Sequence, residues 1–84
     1  MKKEIKTIIV LDYEKKGYSV YGNPSYMVYM LDNTTNEFLK GQTTSNSSAG
    51  YESWSTYQYK KTPLKIYYHY TKKGNLKIDR VEKA

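Results

Sequence analysis

Eighty-four residues without a cysteine allow one small domain whose stability must come from packing, with neither disulfides nor thiolate-bound metal to supplement its core. Fourteen lysines and arginines against eight acidic residues give a net charge of +6, which suits anionic partners and plain solubility alike. The excess sits in residues 43–84, with eight basic and three acidic groups against six and five in residues 1–42, and no stretch approaches the ~20 apolar residues that a membrane span needs.

Behind Met1-Lys2-Lys3 a short apolar run is interrupted by Lys6 and followed by no small-residue cleavage site, so it reads as a strand and not as a secretory signal, and a cytoplasmic protein is expected. Ile5, Thr7, Ile9 and Leu11 alternate with Lys6, Ile8, Val10 and Asp12, which predicts a long first strand buried on both sides midway, bending between two sheets. Glu14 to Gly17 reads as a polar turn, and Tyr18 to Tyr21 as an extension or a short strand. Gly22-Asn23-Pro24 then breaks the ladder, because proline lacks a donor and holds Asn23 extended. A second strand is predicted over Ser25 to Leu31, with Tyr26, Val28 and Met30 on one face and Met27, Tyr29 and Leu31 on the other. Neither face is polar, so this strand needs cover that a homodimer would supply.

Asp32 to Asn36 is composed of residues that bond back to their own backbone, a hairpin connection, and Glu37 to Thr43 returns as a third strand anchored by Phe38 and Leu39. Thr43 to Ser48 is a loop. Ala49 to Tyr59 is predicted as one or two helical turns, with Ser48 as a cap and Tyr51, Trp54 and Tyr57 or Gln58 at helical spacing. Pro63 opens a strand in which Leu64, Ile66, Tyr68 and Tyr70 face one way and Lys65, Tyr67, His69 and Thr71 the other. Lys72 to Asn75 closes a hairpin into a last strand where Leu76, Ile78 and Arg80 alternate with Lys77, Asp79 and Val81. The sum is a mainly β, single-domain, five-stranded OB-like barrel over residues 1–84, with the connector between strands three and four. An SH3-like barrel is the other architecture that fits. Leu64, Ile66 and Tyr68 are expected to point inward with Ile9, Val28 and Ile78.

Catalysis finds little footing. His69 is the only histidine, the neighbouring acids Asp12 and Glu14 read as turn solvation, and the five glycines are isolated, so a non-enzymatic domain without metal or cofactor is expected. Aromatic residues interleaved with lysine carry the main functional signal: Lys60, Lys61, Lys65, Tyr67, His69, Lys72 and Lys73, with Trp54 or Tyr57 at the rim. Rings on a sheet stack unpaired bases while lysines meet phosphates, the pattern of a single-stranded nucleic-acid surface. The plainer account is a solvated sheet face on which lysine guards against aggregation. A second signal is the polar-aromatic segment 42–59, nearly uncharged, in which Tyr51, Trp54, Tyr57 and Tyr59 stand among Ser, Thr and Asn like a protein-binding paratope. Its plainer account is a connector whose Trp54 and Tyr57 tuck into the barrel end.

Tyr21-Gly22-Asn23-Pro24-Ser25-Tyr26-Met27-Val28, followed by a hairpin, an Ala-Gly-Tyr stretch and Gly74-Asn75-Leu76-Lys77-Ile78, resembles short proteins of phages and mobile elements that carry a Gly-Asn-Pro-x-Tyr-x-Val segment. The resemblance spans about 60 residues and rests on few fixed positions. It implies a small intracellular β-barrel acting by binding, on a host protein or on nucleic acid, and it supplies no site residues.

Overall fold

In a computed structural model, which describes residues 4–18, 20–45 and 47–84, the chain forms β1 (Glu4–Tyr18), β2 (Pro24–Asp32), β3 (Phe38–Thr43), a 3-10 turn (Ser48–Tyr51), α1 (Trp54–Lys60), β4 (Leu64–Tyr70) and β5 (Leu76–Lys83). The strands close into a barrel in the order β1-β2-β3-β5-β4, with β1 pairing back onto β4. All pairs are antiparallel except β3 with β5. This is the mainly β, OB-like barrel expected, with the helical connector between β3 and β4.

Closure depends on β1 serving two sheets. Its first half, Glu4 to Ile8, pairs with β4, and from Ile8 onward it pairs with β2. The sequence does not turn at Glu14–Gly17 as expected. Instead β1 runs on to Tyr18, because the register slips by one residue at Leu11 and again at Lys16, and Gly17 at φ 107° takes a conformation that residues with a side chain rarely adopt. Those bulges turn the polar residues into the bend of a long strand.

The fully buried side chains include Ile8, Val10, Val28, Met30, Leu64, Ile66 and Ile78. Leu64, Ile66, Tyr68, Val28 and Ile78 point inward as expected, whereas Ile9 is only half-buried and its neighbours Ile8 and Val10 take the core. On β3, Phe38 is 64 % exposed and so is no core anchor; Leu39, Gly41 and Thr43 are the inward positions. On β5 the alternation changes phase at Asp79, where the β4–β5 register slips, so Val81 enters the core and Arg80 faces out.

The connector closes one end of the barrel. Ser47 caps the 3-10 turn by accepting from the Ala49 amide, and Trp54, 2 % exposed, donates its indole N–H to the Ala49 carbonyl at 3.1 Å. That contact satisfies a buried ring nitrogen and locks helix to turn. Opposite, Asp32 ends β2: one carboxylate oxygen accepts from the Thr34 and Thr35 amides and the other meets Lys6 Nζ at 2.9 Å. The Lys6 ammonium first, then these amides, hold the Asp32 carboxyl down to about 2.

Candidate functional site

Lys65, Tyr67 and His69 share the outward face of β4, as their alternation dictates. Their neighbours on β5 already engage them. The Tyr67 hydroxyl donates to Glu82 Oε1 at 2.7 Å and the Arg80 guanidinium lies 4.1 Å over its ring, so one stacking face is covered. That hydroxyl, more than the charges of Arg80 and Lys65, holds the Glu82 carboxyl below its ordinary range. His69 Nδ1 donates to Asp79 Oδ2 at 2.8 Å, and Asp79 Oδ1 accepts from the Thr44 hydroxyl at 2.8 Å.

The remaining lysines of the sequence-derived set lie apart from that trio. Lys60 and Lys61 end α1, Lys61 in the left-handed conformation with its Nζ on the Gln58 carbonyl, while Lys72 and Lys73 occupy the β4–β5 turn. These pairs flank opposite ends of β4, about 20 Å apart at the strand's rise per residue. The structure therefore gathers Lys65, Tyr67 and His69 but splits the seven residues over three regions.

Segment 42–59 is likewise redistributed. Trp54 is core and not a contact surface, and Tyr57 is half-buried, edge-on to Trp54 at 5.8 Å with its hydroxyl donating to Glu52 Oε1 at 2.7 Å. Burial first, and the Glu52 carboxylate second, push the Tyr57 phenol up to about 12. Tyr51 and Tyr59 remain exposed. They flank α1, at the end of the 3-10 turn and near the helix terminus.

A different surface is assembled by the barrel itself. On the outward side of β1, β2 and β3, cross-strand pairing builds three rows: Ile9–Leu31–Phe38, then Asp12–Tyr29–Lys40, then Glu14–Met27–Gln42, the last continuing to Lys77 on β5. Tyr29 and Phe38, diagonal neighbours across the β2–β3 ladder, stack with centroids 6.4 Å apart and planes 18° from parallel. With Leu11, Asp12, Tyr13 and Glu14 they border a depression of about 590 Å³. The Tyr29 hydroxyl reaches toward Glu14 Oε1, at 3.5 Å.

Beside this face runs a groove of about 350 Å³, bounded by β3 from Phe38 to Gln42, by Met27, and by Tyr70, Gly74, Asn75 and Leu76 of the β4–β5 hairpin. Its cause is topological. The parallel β3–β5 ladder covers only Gly41 to Thr43, so Phe38 to Lys40 diverge from the hairpin and leave a gap. Gln42, at the ladder's edge, is oriented on both sides, donating to Ser25 Oγ at 3.0 Å and accepting from Lys77 Nζ at 3.1 Å.

Lys72 and Lys73 of the expected set do not line this groove but stand in the same turn as Gly74 and Asn75, which do. Tyr29, Phe38, Lys40 and Tyr70 were not singled out as a site. For Tyr29 the signal was present in the two apolar faces of β2, which sequence reasoning assigned to a homodimer; that Phe38 and Lys40 of β3 share its outer face, and that Tyr70 of β4 borders the groove, depends on strand order. Among the described residues no cluster of three or more His, Asp or Glu gathers as a metal site, and no helix is long and apolar enough to cross a membrane. No family model matches the chain, and no curated protein or solved structure is significantly similar to it.

Proposed function

We propose that this protein is a non-enzymatic binding domain for single-stranded nucleic acid, held across the outward face of β2 and β3 and into the groove beside the β4–β5 turn. The observation that carries this reading is the Tyr29–Phe38 stack, with Phe38 64 % exposed, flanked by Lys40 and by the turn bearing Lys72 and Lys73. Exposed rings offer bases a stacking platform at about 1–3 kcal/mol per base, and the lysines meet phosphates on one side of it. The outer face of strands two and three, with the adjoining loops, is also where OB-type barrels take up oligonucleotides; that support comes from the fold alone. The β4 face presents Tyr67 with one ring face under the Arg80 guanidinium, without a paired aromatic platform like Tyr29–Phe38.

The alternative is a phage- or plasmid-encoded inhibitor or adaptor that binds a host protein through residues 42–59. Burial of Trp54 leaves that reading chiefly Tyr51 and Tyr59 as ring contacts. The resemblance of the Gly22-Asn23-Pro24 segment to short proteins of phages and mobile elements supports such a source, and with it action in the host cytoplasm.

Fluorescence anisotropy with short single-stranded DNA and RNA tests the proposal. Affinity should fall with salt at a log-log slope of about −0.7 per phosphate neutralised, hence about −2 to −3 for three or four contacts. Phe38→Ala should weaken binding about 5- to 150-fold with little change of slope, Lys40→Ala should reduce the slope, and Tyr67→Ala should change little. Absence of binding at about 50 mM salt would overturn the proposal. Nuclease-insensitive capture of a protein, lost in a Tyr51→Ala, Tyr59→Ala double variant, would then favour the alternative.

A further inference from the structure

The same face is electrically lopsided. In the middle row the order across the barrel is Asp12, Tyr29, Lys40, an acid, a ring and a cation on three successive strands. Neighbouring strands are about 4.8 Å apart, so acid and cation stand roughly 10 Å from each other at the backbone, with the ring between them. The next row repeats the acid on β1, Glu14, and places Gln42 and Lys77 on the far side. Lys40, which lines the groove, and Lys72 and Lys73, in the turn that carries Gly74 and Asn75 of its lining, lie beyond the rings from Asp12 and Glu14, while on the acidic side Lys16 is already paired with Glu14.

A nucleotide strand on this surface has one energetically favourable orientation. Its phosphates belong with Lys40 and the β4–β5 turn, because toward β1 they would meet Asp12 and Glu14, of which only Glu14 is offset by an ion-paired cation, Lys16. Its bases then lie over Tyr29 and Phe38 with their outer edges toward Asp12 and Glu14. Those carboxylates accept only. One oxygen of each is engaged, Asp12 Oδ1 by the Tyr13 amide at 2.8 Å and Glu14 Oε1 by Lys16 Nζ at 3.1 Å. No hydrogen bond to Asp12 Oδ2 or Glu14 Oε2 is formed among the described residues.

We infer that the β2–β3 face prefers bases presenting an amino donor on the outer edge, cytosine over thymine or uracil, through Asp12 and Glu14. This inference rests on the nucleic-acid reading above. Cytosine offers its 4-amino group where thymine offers a carbonyl oxygen, which faces a carboxylate as acceptor to acceptor. A well-made polar contact to a base edge discriminates by about 1–3 kcal/mol, roughly 5- to 150-fold. Both carboxylates are exposed, so the low end of that range applies.

Comparing oligo-dC with oligo-dT of equal length by anisotropy isolates the effect, since both are pyrimidines with similar stacking. The wild-type protein should bind oligo-dC about fivefold or more tightly than oligo-dT. In an Asp12→Asn, Glu14→Gln double variant both affinities should rise as repulsion of phosphates is relieved. The dC-to-dT ratio should fall to within about twofold, because an amide can donate as well as accept. Equal binding of the two by the wild type, or a ratio unchanged in the double variant, overturns this inference while a Phe38-dependent affinity leaves the nucleic-acid reading standing. Binding of neither oligonucleotide overturns both.

Discussion

Replacing Gly50 by alanine tests how the β3–β4 connector is seated on the barrel. Gly50 is buried in the 3-10 turn, and a Cβ there would overlap the Pro24 carbonyl oxygen, with the Pro24 carbonyl carbon at 2.9 Å. Both atoms are backbone at the start of β2, so no rotamer change relieves the clash. Gly50 is not among the positive-φ glycines, which leaves its backbone open to alanine. Unfolded-state entropy alone would then make the substitution stabilising by about 0.4–1 kcal/mol.

The overlap opposes this gain and is larger. Overpacking costs about 1–3 kcal/mol even where side chains can adjust, and here two backbone segments must separate, so a net loss of about 2 kcal/mol or more is expected. Gly41→Ala is the comparison. Its Cβ would meet Leu76 Cδ2 at 2.6 Å and Met30 Cε at 2.9 Å, ends of flexible side chains, and should cost only about 1 kcal/mol. Trp54, the single tryptophan and a core residue, reports urea unfolding by its fluorescence. Total stability for this length is about 4–13 kcal/mol, against which such losses are readable. A Gly50→Ala protein as stable as the wild type would show that the turn does not press on β2 and would refute the reasoning.

Two further outcomes follow from the core and from Asp32. Ile66→Ala should destabilise by about 2–5 kcal/mol in the same assay, and half-buried Ile9→Ala by only about 1 kcal/mol; equal losses would mean that the face assignment of β1 is wrong. The Asp32 carboxyl, at about 2 in the folded chain against an ordinary 3.8, contributes stability that is full above the ordinary value and is lost as pH falls through about 4 to about 2. Because the Lys6 side of the pair is partly exposed while Asp32 is buried, that contribution is about 2 kcal/mol at most. Asp32→Asn should flatten the acid limb of stability against pH, and an unchanged limb would assign it to other carboxylates.

What was legible in the sequence was what repeats locally. The period-two runs of β2 and β4, the Pro24 break and the Lys72–Asn75 turn fixed their elements because alternation and turn chemistry act over a few residues. The bulges at Leu11, Lys16 and Asp79 were not legible, since an extra residue in one strand is defined only against its partner. The Asp79 bulge is why Arg80 was given the wrong face, whereas Ile9 was misplaced because both alternating sets of β1 are apolar at that point, Ile9 and Leu11 against Ile8 and Val10. The Tyr29–Phe38 stack was hidden for a related reason: which residues oppose each other across strands, nine apart in sequence here, follows from register and barrel order. Trp54 read as an anchor for a partner or as a plug in the barrel end, and its burial with the indole bonded to Ala49 of the 3-10 turn separates the two.

Amide chemical-shift mapping by NMR during titration with a short single-stranded oligonucleotide tests the proposed binding surface most directly, because it asks where as well as whether. The β2–β3 account predicts that the largest perturbations fall on Met27, Tyr29, Phe38, Lys40 and Gln42 and on the turn from Tyr70 to Asn75, with Lys65, Tyr67 and Arg80 little affected. Perturbations centred on Lys65, Tyr67 and His69, or no perturbation at low salt, would contradict it.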